Sequence, residues 1–125
     1  MKKFILALAV LGGTLTTFAP ATIAAEAKQD FTLVNKTGYE IKQVFVSPTK
    51  TDDWEEDVLG KDTFADGDTW DIKFHRSTTS CAWDLKVVYS DDNSSAIWGD
   101  IDLCKVEKIT IKYDRQKNVT SAVFD

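Results

Sequence analysis

The sequence predicts an all-β fold, an antiparallel β-sandwich of immunoglobulin-like size with about seven strands. Three observations predict it. Apolar and polar residues alternate with period two along several short runs, most clearly Trp83, Leu85, Val87 and Tyr89 against Ala82, Asp84 and Lys86. Turn-forming groups such as Asn35-Lys36-Thr37-Gly38, Asp66-Gly67 and Asp91-Asp92-Asn93-Ser94 interrupt these runs at regular spacing. No substantial helical period follows the N-terminal segment, apart from one short helical or irregular insertion near residues 51–59.

The N-terminus stands apart. Met1-Lys2-Lys3 is basic, residues 4–15 are apolar, and Pro20 and small residues follow. This pattern predicts a secretory signal peptide over residues 1–27, removed to leave a single domain at 28–125. The apolar run falls short of the ~20 residues a membrane span needs. Ala25-Glu26-Ala27 supplies an A-x-A cleavage site, and cleavage after Ala24 or Ala25 fits nearly as well. The mature protein is thus expected in the periplasm or outside the cell, with no membrane insertion. Its 98 residues carry 13 basic and 19 acidic side chains, a net charge of −6. That charge repels nucleic acid and anionic lipid.

Residues 31–35 read as the first strand, with Phe31 and Leu33 on one face. The Asn35–Gly38 turn then leads to residues 39–47, rich in β-branched and aromatic side chains. So short a connection predicts a hairpin. Pro48 ends the second strand because it lacks an N–H for the ladder. Residues 49–60 break the alternation. Thr51 or Asp52 suits a helix cap, and Trp54, Val58 and Leu59 recur at helical spacing. Residues 69–74 alternate again, with Trp70, Ile72 and Phe74 inward. Residues 75–80 are a polar loop. The central strand starts at Cys81, which shares its parity with Trp83, Leu85, Val87 and Tyr89. Residues 96–104 return, and 108–114 and 119–124 close the chain.

Two cysteines in an exported chain predict a Cys81–Cys104 disulfide. Two reactive thiols or a metal pair is the competing reading. It lacks a third and fourth ligand, since His75 is the only histidine. The disulfide raises a question of register. With Cys81 opposite Cys104, Trp83 faces Asp102 and Leu85 faces Asp100, which sets carboxylates against the apolar face. The hydrophobic pattern prefers a register one residue away. One extra residue reconciles the two, and Gly99 is the natural place for such a β-bulge. The alternative puts Cys104 on a loop just past the strand, reaching back.

Chemistry-bearing patterns are few. His75 lies near Ser77 and Ser80, but no G-x-S-x-G elbow accompanies them, and no P-loop, dinucleotide glycine pattern or H-E-x-x-H occurs. The carboxylates Asp52, Asp53, Glu55, Glu56 and Asp57 cluster and are the candidate Ca²⁺ ligands. No D-x-[DN]-x-[DN]-G loop is present, and Lys50, Lys61 and Arg76 are expected to neutralise the cluster. Of four tryptophans, Trp70 and Trp83 read as core. Trp54 and Trp98, with Asp57, are the candidate ligand or partner contacts.

The runs Leu33-Val34-Asn35-Lys36-Thr37-Gly38, Val46-Ser47-Pro48 and Trp54-Glu55-Glu56-Asp57-Val58-Leu59-Gly60, with Cys81-Ala82-Trp83-Asp84-Leu85 and Leu103-Cys104, form a pattern over nearly the whole mature domain. It resembles that of a group of small exported bacterial β-proteins of uncharacterised function. The resemblance implies that Trp54, Asp57 and Gly60 form a structural motif, with Trp54 plugging the sandwich and Asp57 capping backbone N–H groups. The expected function is a monomeric, non-catalytic binding module without a cofactor, whose partner is a protein or glycan of the cell envelope. A calcium-binding module using the acidic segment is the first alternative. A small envelope hydrolase or inhibitor-type protein is the second.

Overall fold

The structure is a computed structural model that describes residues 26–125. Apart from Glu26 and Ala27, the expected signal segment lies outside the described residues. Seven strands follow in order: β1 (Phe31–Lys36), β2 (Ile41–Pro48), β3 (Thr69–Ile72), β4 (Ala82–Tyr89), β5 (Ser95–Asp102), β6 (Lys108–Asp114) and β7 (Val119–Phe124). They form two facing sheets, ordered β3-β1-β6-β7 and β2-β4-β5. All pairings are antiparallel except β1 with β6. Inward-facing residues of both sheets, including Leu33, Ile41, Val44, Leu85, Val87, Ile109 and Ile111, make one core. The fold is the expected β-sandwich.

The expected hairpin between the first two strands does not form. β1 lies between β3 and β6, whereas β2 pairs with β4 in the other sheet. Asn35 is the cause. Its side chain is fully buried, and its Oδ1 accepts the Thr37 N–H (3.0 Å) and the Thr37 hydroxyl (2.6 Å). Its Nδ2 donates to the carbonyls of Tyr39 (2.9 Å) and Phe64 (3.0 Å). These bonds fix a corner that carries the chain from one sheet to the other. Gly38, at φ +87°, takes the left-handed conformation the corner needs.

The β4–β5 hairpin carries the expected bulge. Trp83 pairs with Ile101, but Leu85 pairs with Trp98, so Gly99 and Asp100 together oppose Asp84. Asp84 Oδ1 accepts the Asp100 N–H at 2.8 Å and the Thr49 hydroxyl at 2.9 Å. A Cβ on Gly99 would lie 3.3 Å from the same oxygen. Asp100 sits at φ +55°. The bulge lets Trp98 and Ile101 both face the core although their parities differ.

The Cys81–Cys104 disulfide is present, with Cα atoms 5.2 Å apart. Cys104 lies past the end of β5 and reaches back. The residue opposite Cys81 is Leu103, whose N–H donates to the Cys81 carbonyl. Cys81 itself is exposed, so the inward face expected from its parity begins only at Trp83.

Candidate functional site

The segment between β2 and β3 contains no helix. It is irregular as far as Asp57 and then turns over residues 58–61. Like charges explain the lost helical option, because on a helix Asp52 would face Glu55 and Glu56, and Asp53 would face Glu56 and Asp57. The segment instead lies along the outer edge of β2. Asp57 Oδ1 accepts the Val44 N–H (2.9 Å) and the Leu59 N–H (3.0 Å), and the Val58 N–H donates to the Val44 carbonyl (2.8 Å). Asp57 thus caps backbone donors at the point where the β2 ladder shifts register.

Trp54 does not plug the sandwich. It is half-buried on the outer face of the three-stranded sheet, where the Lys86 Nζ lies 5.8 Å from its ring centroid and 5.8 Å from that of Phe45. Phe45, Lys86 and Ile97 form one cross-strand row, and Ile97 is 53% exposed. Asp52, Asp53, Glu55 and Glu56, which flank Trp54 in the chain, are all exposed. Lys50, Lys61 and Arg76 do not neutralise them. Among the described residues the only ion pairs join Arg115 to Asp91 and Asp92.

The five candidate Ca²⁺ ligands are not brought together. Among the described residues the only converging group of metal-ligating types is Cys81, Asp102 and Cys104, whose two sulfurs are already bonded to each other. Trp98 is withdrawn from the surface as well. It is 7% exposed, and its indole N–H donates to the Ser121 carbonyl at 2.9 Å, which ties β5 to β7. The bulge turns it inward, so it packs as core and offers no contact to a partner.

His75 is exposed. Its Nδ1 lies 2.6 Å from the Ser77 hydroxyl and accepts the Ser77 N–H at 3.2 Å. Among the described residues no carboxylate bonds to the ring, so the elements of a catalytic triad are not assembled there. Beside it opens a hollow of about 380 Å³ between the acidic segment, the end of β3 and the 75–78 loop. Its floor is apolar, made by Val46, Ile72, Phe74 and Trp83, with the Phe74 and Trp83 rings 4.8 Å apart edge to face. Glu55 and Glu56 stand on one wall.

One cluster escaped sequence reasoning. All three tyrosines meet Arg115 at one end of the sandwich. The guanidinium lies 3.7 Å from the Tyr39 ring centroid and pairs with Asp91 at 2.7 Å. Hydrogen bonding to Arg115 holds the Asp91 carboxyl below its usual range, and bonds from Ser94 do the same for Asp92. Tyr89 stacks on Tyr113 at 5.2 Å and is 1% exposed. Its hydroxyl meets no partner at full hydrogen-bond geometry among the described residues, and the Thr37 hydroxyl is the nearest polar group. Burial, followed by the neighbouring Tyr113, pushes the Tyr89 hydroxyl up to about 12. The cluster clasps the β4–β5 and β6–β7 turns together. Its members lie in two strands, the corner between β1 and β2, and two separate turns, and no local spacing announces them.

No protein-family model, curated protein or solved structure matches the chain.

Proposed function

We propose that the protein is an exported, non-catalytic binding module of the cell envelope, and that its contact surface is centred on Trp54. One observation carries this reading. Trp54 is a large aromatic side chain left half in solvent over Lys86 on an outer sheet face, flanked in the chain by four exposed carboxylates that make no ion pair among the described residues. A rigid amphipathic ring with a polar rim is the usual composition of a contact centre. A basic, apolar N-terminus and the disulfide support export to the periplasm or beyond.

The test is affinity capture from cell-envelope extract with the immobilised wild-type domain and with Trp54→Ala. Trp54 lies outside the core cluster, so the variant is expected to fold, with only a small drop in Tm from the lost contact with Lys86. A protein or glycan retained by the wild type and lost by Trp54→Ala is the expected result. Identical capture by both would remove Trp54 from the contact surface and the reading with it.

A further inference from the structure

The sandwich is closed on one flank and open on the other. Trp98 links β5 to β7 on the closed side. On the open side lie the edge strands β2 and β3. The 57–64 segment covers the first half of β2 through Asp57, Val58 and Phe64. β3 is paired only with β1. Asn35 donates its amide to the Asp68 carbonyl, and in an antiparallel ladder the bonded residues alternate. Trp70 and Ile72 therefore turn their amides towards β1, and Asp71 and Lys73 turn theirs outward. An edge of this kind is a ready template for another strand.

A groove runs along that edge. The 380 Å³ hollow described above continues into a second of about 470 Å³, and the two share Glu56, Val58, Ile72 and Lys73. From Trp70 to His75 an extended chain covers roughly 16–20 Å at about 3.3 Å per residue. The groove therefore has the length of a strand, with a free ladder on one side, apolar side chains beneath and carboxylates opposite.

We propose that this groove takes an extended segment of a partner protein, added as a strand to the free edge of β3, in which apolar and basic side chains alternate. The proposal rests on the binding-module reading and names its partner class. Strand addition supplies main-chain hydrogen bonds, and the pockets under alternate side chains supply selectivity. Charge sets the sign of the partner. Glu55 and Glu56 line the groove without an ion pair or hydrogen bond among the described residues, and Lys73 is the one lysine or arginine lining it. Apolar residues of the added strand rest on Val58, Ile72 and Trp83, while the basic residues between them reach the two glutamates.

The probe is a fluorescein-labelled, amidated hexapeptide of alternating valine and lysine, with a valine–glutamate peptide as control. Fluorescence anisotropy with the purified protein reads binding, and NMR hydrogen exchange reads its geometry. The lysine peptide is expected to saturate, to weaken with salt, and to slow exchange of the Asp71 and Lys73 amides, while the glutamate peptide stays free. Lys73→Pro removes one outward donor just past the end of β3 and is expected to weaken binding roughly tenfold or more. The double variant Glu55→Lys, Glu56→Lys alters only exposed side chains and is expected to do the same. Lack of saturation would overturn the proposal. So would unchanged binding in the double variant, or free exchange at Asp71 and Lys73 in the complex. Loss of capture in Trp54→Ala without peptide binding keeps the binding module and removes the strand addition. Slowed exchange at those two amides with capture unchanged in Trp54→Ala keeps the strand addition and removes the Trp54-centred surface.

Discussion

Replacing Asp57 by alanine separates the structural part of the acidic segment from the part available to a partner. The carboxylate accepts two backbone N–H groups, from Val44 and Leu59. Leaving a buried donor unpaired costs about 1–3 kcal/mol. Val44 is fully buried, so its share lies towards the upper end, and the Leu59 N–H in the adjoining turn adds the lower end. The expected loss is about 3 kcal/mol. In a domain of about 100 residues each kcal/mol moves Tm by roughly 4–8 °C, so Asp57→Ala should melt roughly 12–24 °C below the wild type. Asp57→Asn keeps a neutral acceptor and should lose about half as much, since charge-assisted bonds are roughly twice as strong. Thermal melts followed by circular dichroism read both variants. A drop of less than about 4 °C in Asp57→Ala would refute the clasp, because neither donor could then depend on the carboxylate. With one Asp57 oxygen engaged by the backbone and the five acids dispersed, melts in millimolar Ca²⁺ and in EDTA are expected to superimpose. A calcium-dependent rise would restore the metal-binding alternative.

Three further outcomes are expected. Reducing the disulfide, or replacing both Cys81 and Cys104 by alanine, should lower stability by about 3 kcal/mol in the chain-entropy model, read as a lower urea midpoint, and an unchanged midpoint would refute it. The raised pKa of Tyr89 contributes stability that is complete below its ordinary value of 10 and lost as pH rises through about 12, so Tyr89→Phe should flatten the alkaline limb of Tm against pH between those values. At neutral pH the same change removes a buried hydroxyl without a partner and should be neutral or stabilising by up to about 1 kcal/mol; a marked loss would mean the hydroxyl is bonded. Ala27 is buried and its N–H donates to Asp30, so if the N-terminal segment is removed, intact mass should place the new N-terminus at or before Ala27; a mass beginning at Lys28 would contradict this.

Much of the fold was legible where the determinants are local. Alternation placed β4, β6 and β7 to within a residue or two, because one buried face imposes period two on a strand. A bulge at Gly99 was expected from the cysteine pairing, but Leu103, not Cys104, stands opposite Cys81, and the bulge instead absorbs the change of parity between the buried Trp98 and Ile101. Asn35 was not legible, since one of its four partners is the carbonyl of Phe64, 29 residues away, and a turn sequence does not reveal whether it joins two strands of one sheet or two sheets. Trp54 and Trp98 were both candidate contacts, and only Trp98 proved to be core, for a related reason. Trp98 faces inward through a bond to β7, and Trp54 rests on β4, and both depend on strands distant in the chain. The acids of 52–56 were visible in the sequence, but their freedom from ion pairs appears only once the positions of Lys50, Lys61 and Arg76 are known.

The parallel pairing of β1 with β6 has a consequence for how the chain reaches its folded state. Thr32 lies beside Lys108, so the first strand of the domain waits for almost the last. Contacts this distant in sequence close late and slow the folding transition, because the entropy of the long intervening loop is lost before the pairing rewards it. A chain made from its N-terminus cannot complete the four-stranded sheet until Lys108 is available. The strand order therefore delays closure of that sheet until synthesis of the domain is nearly over.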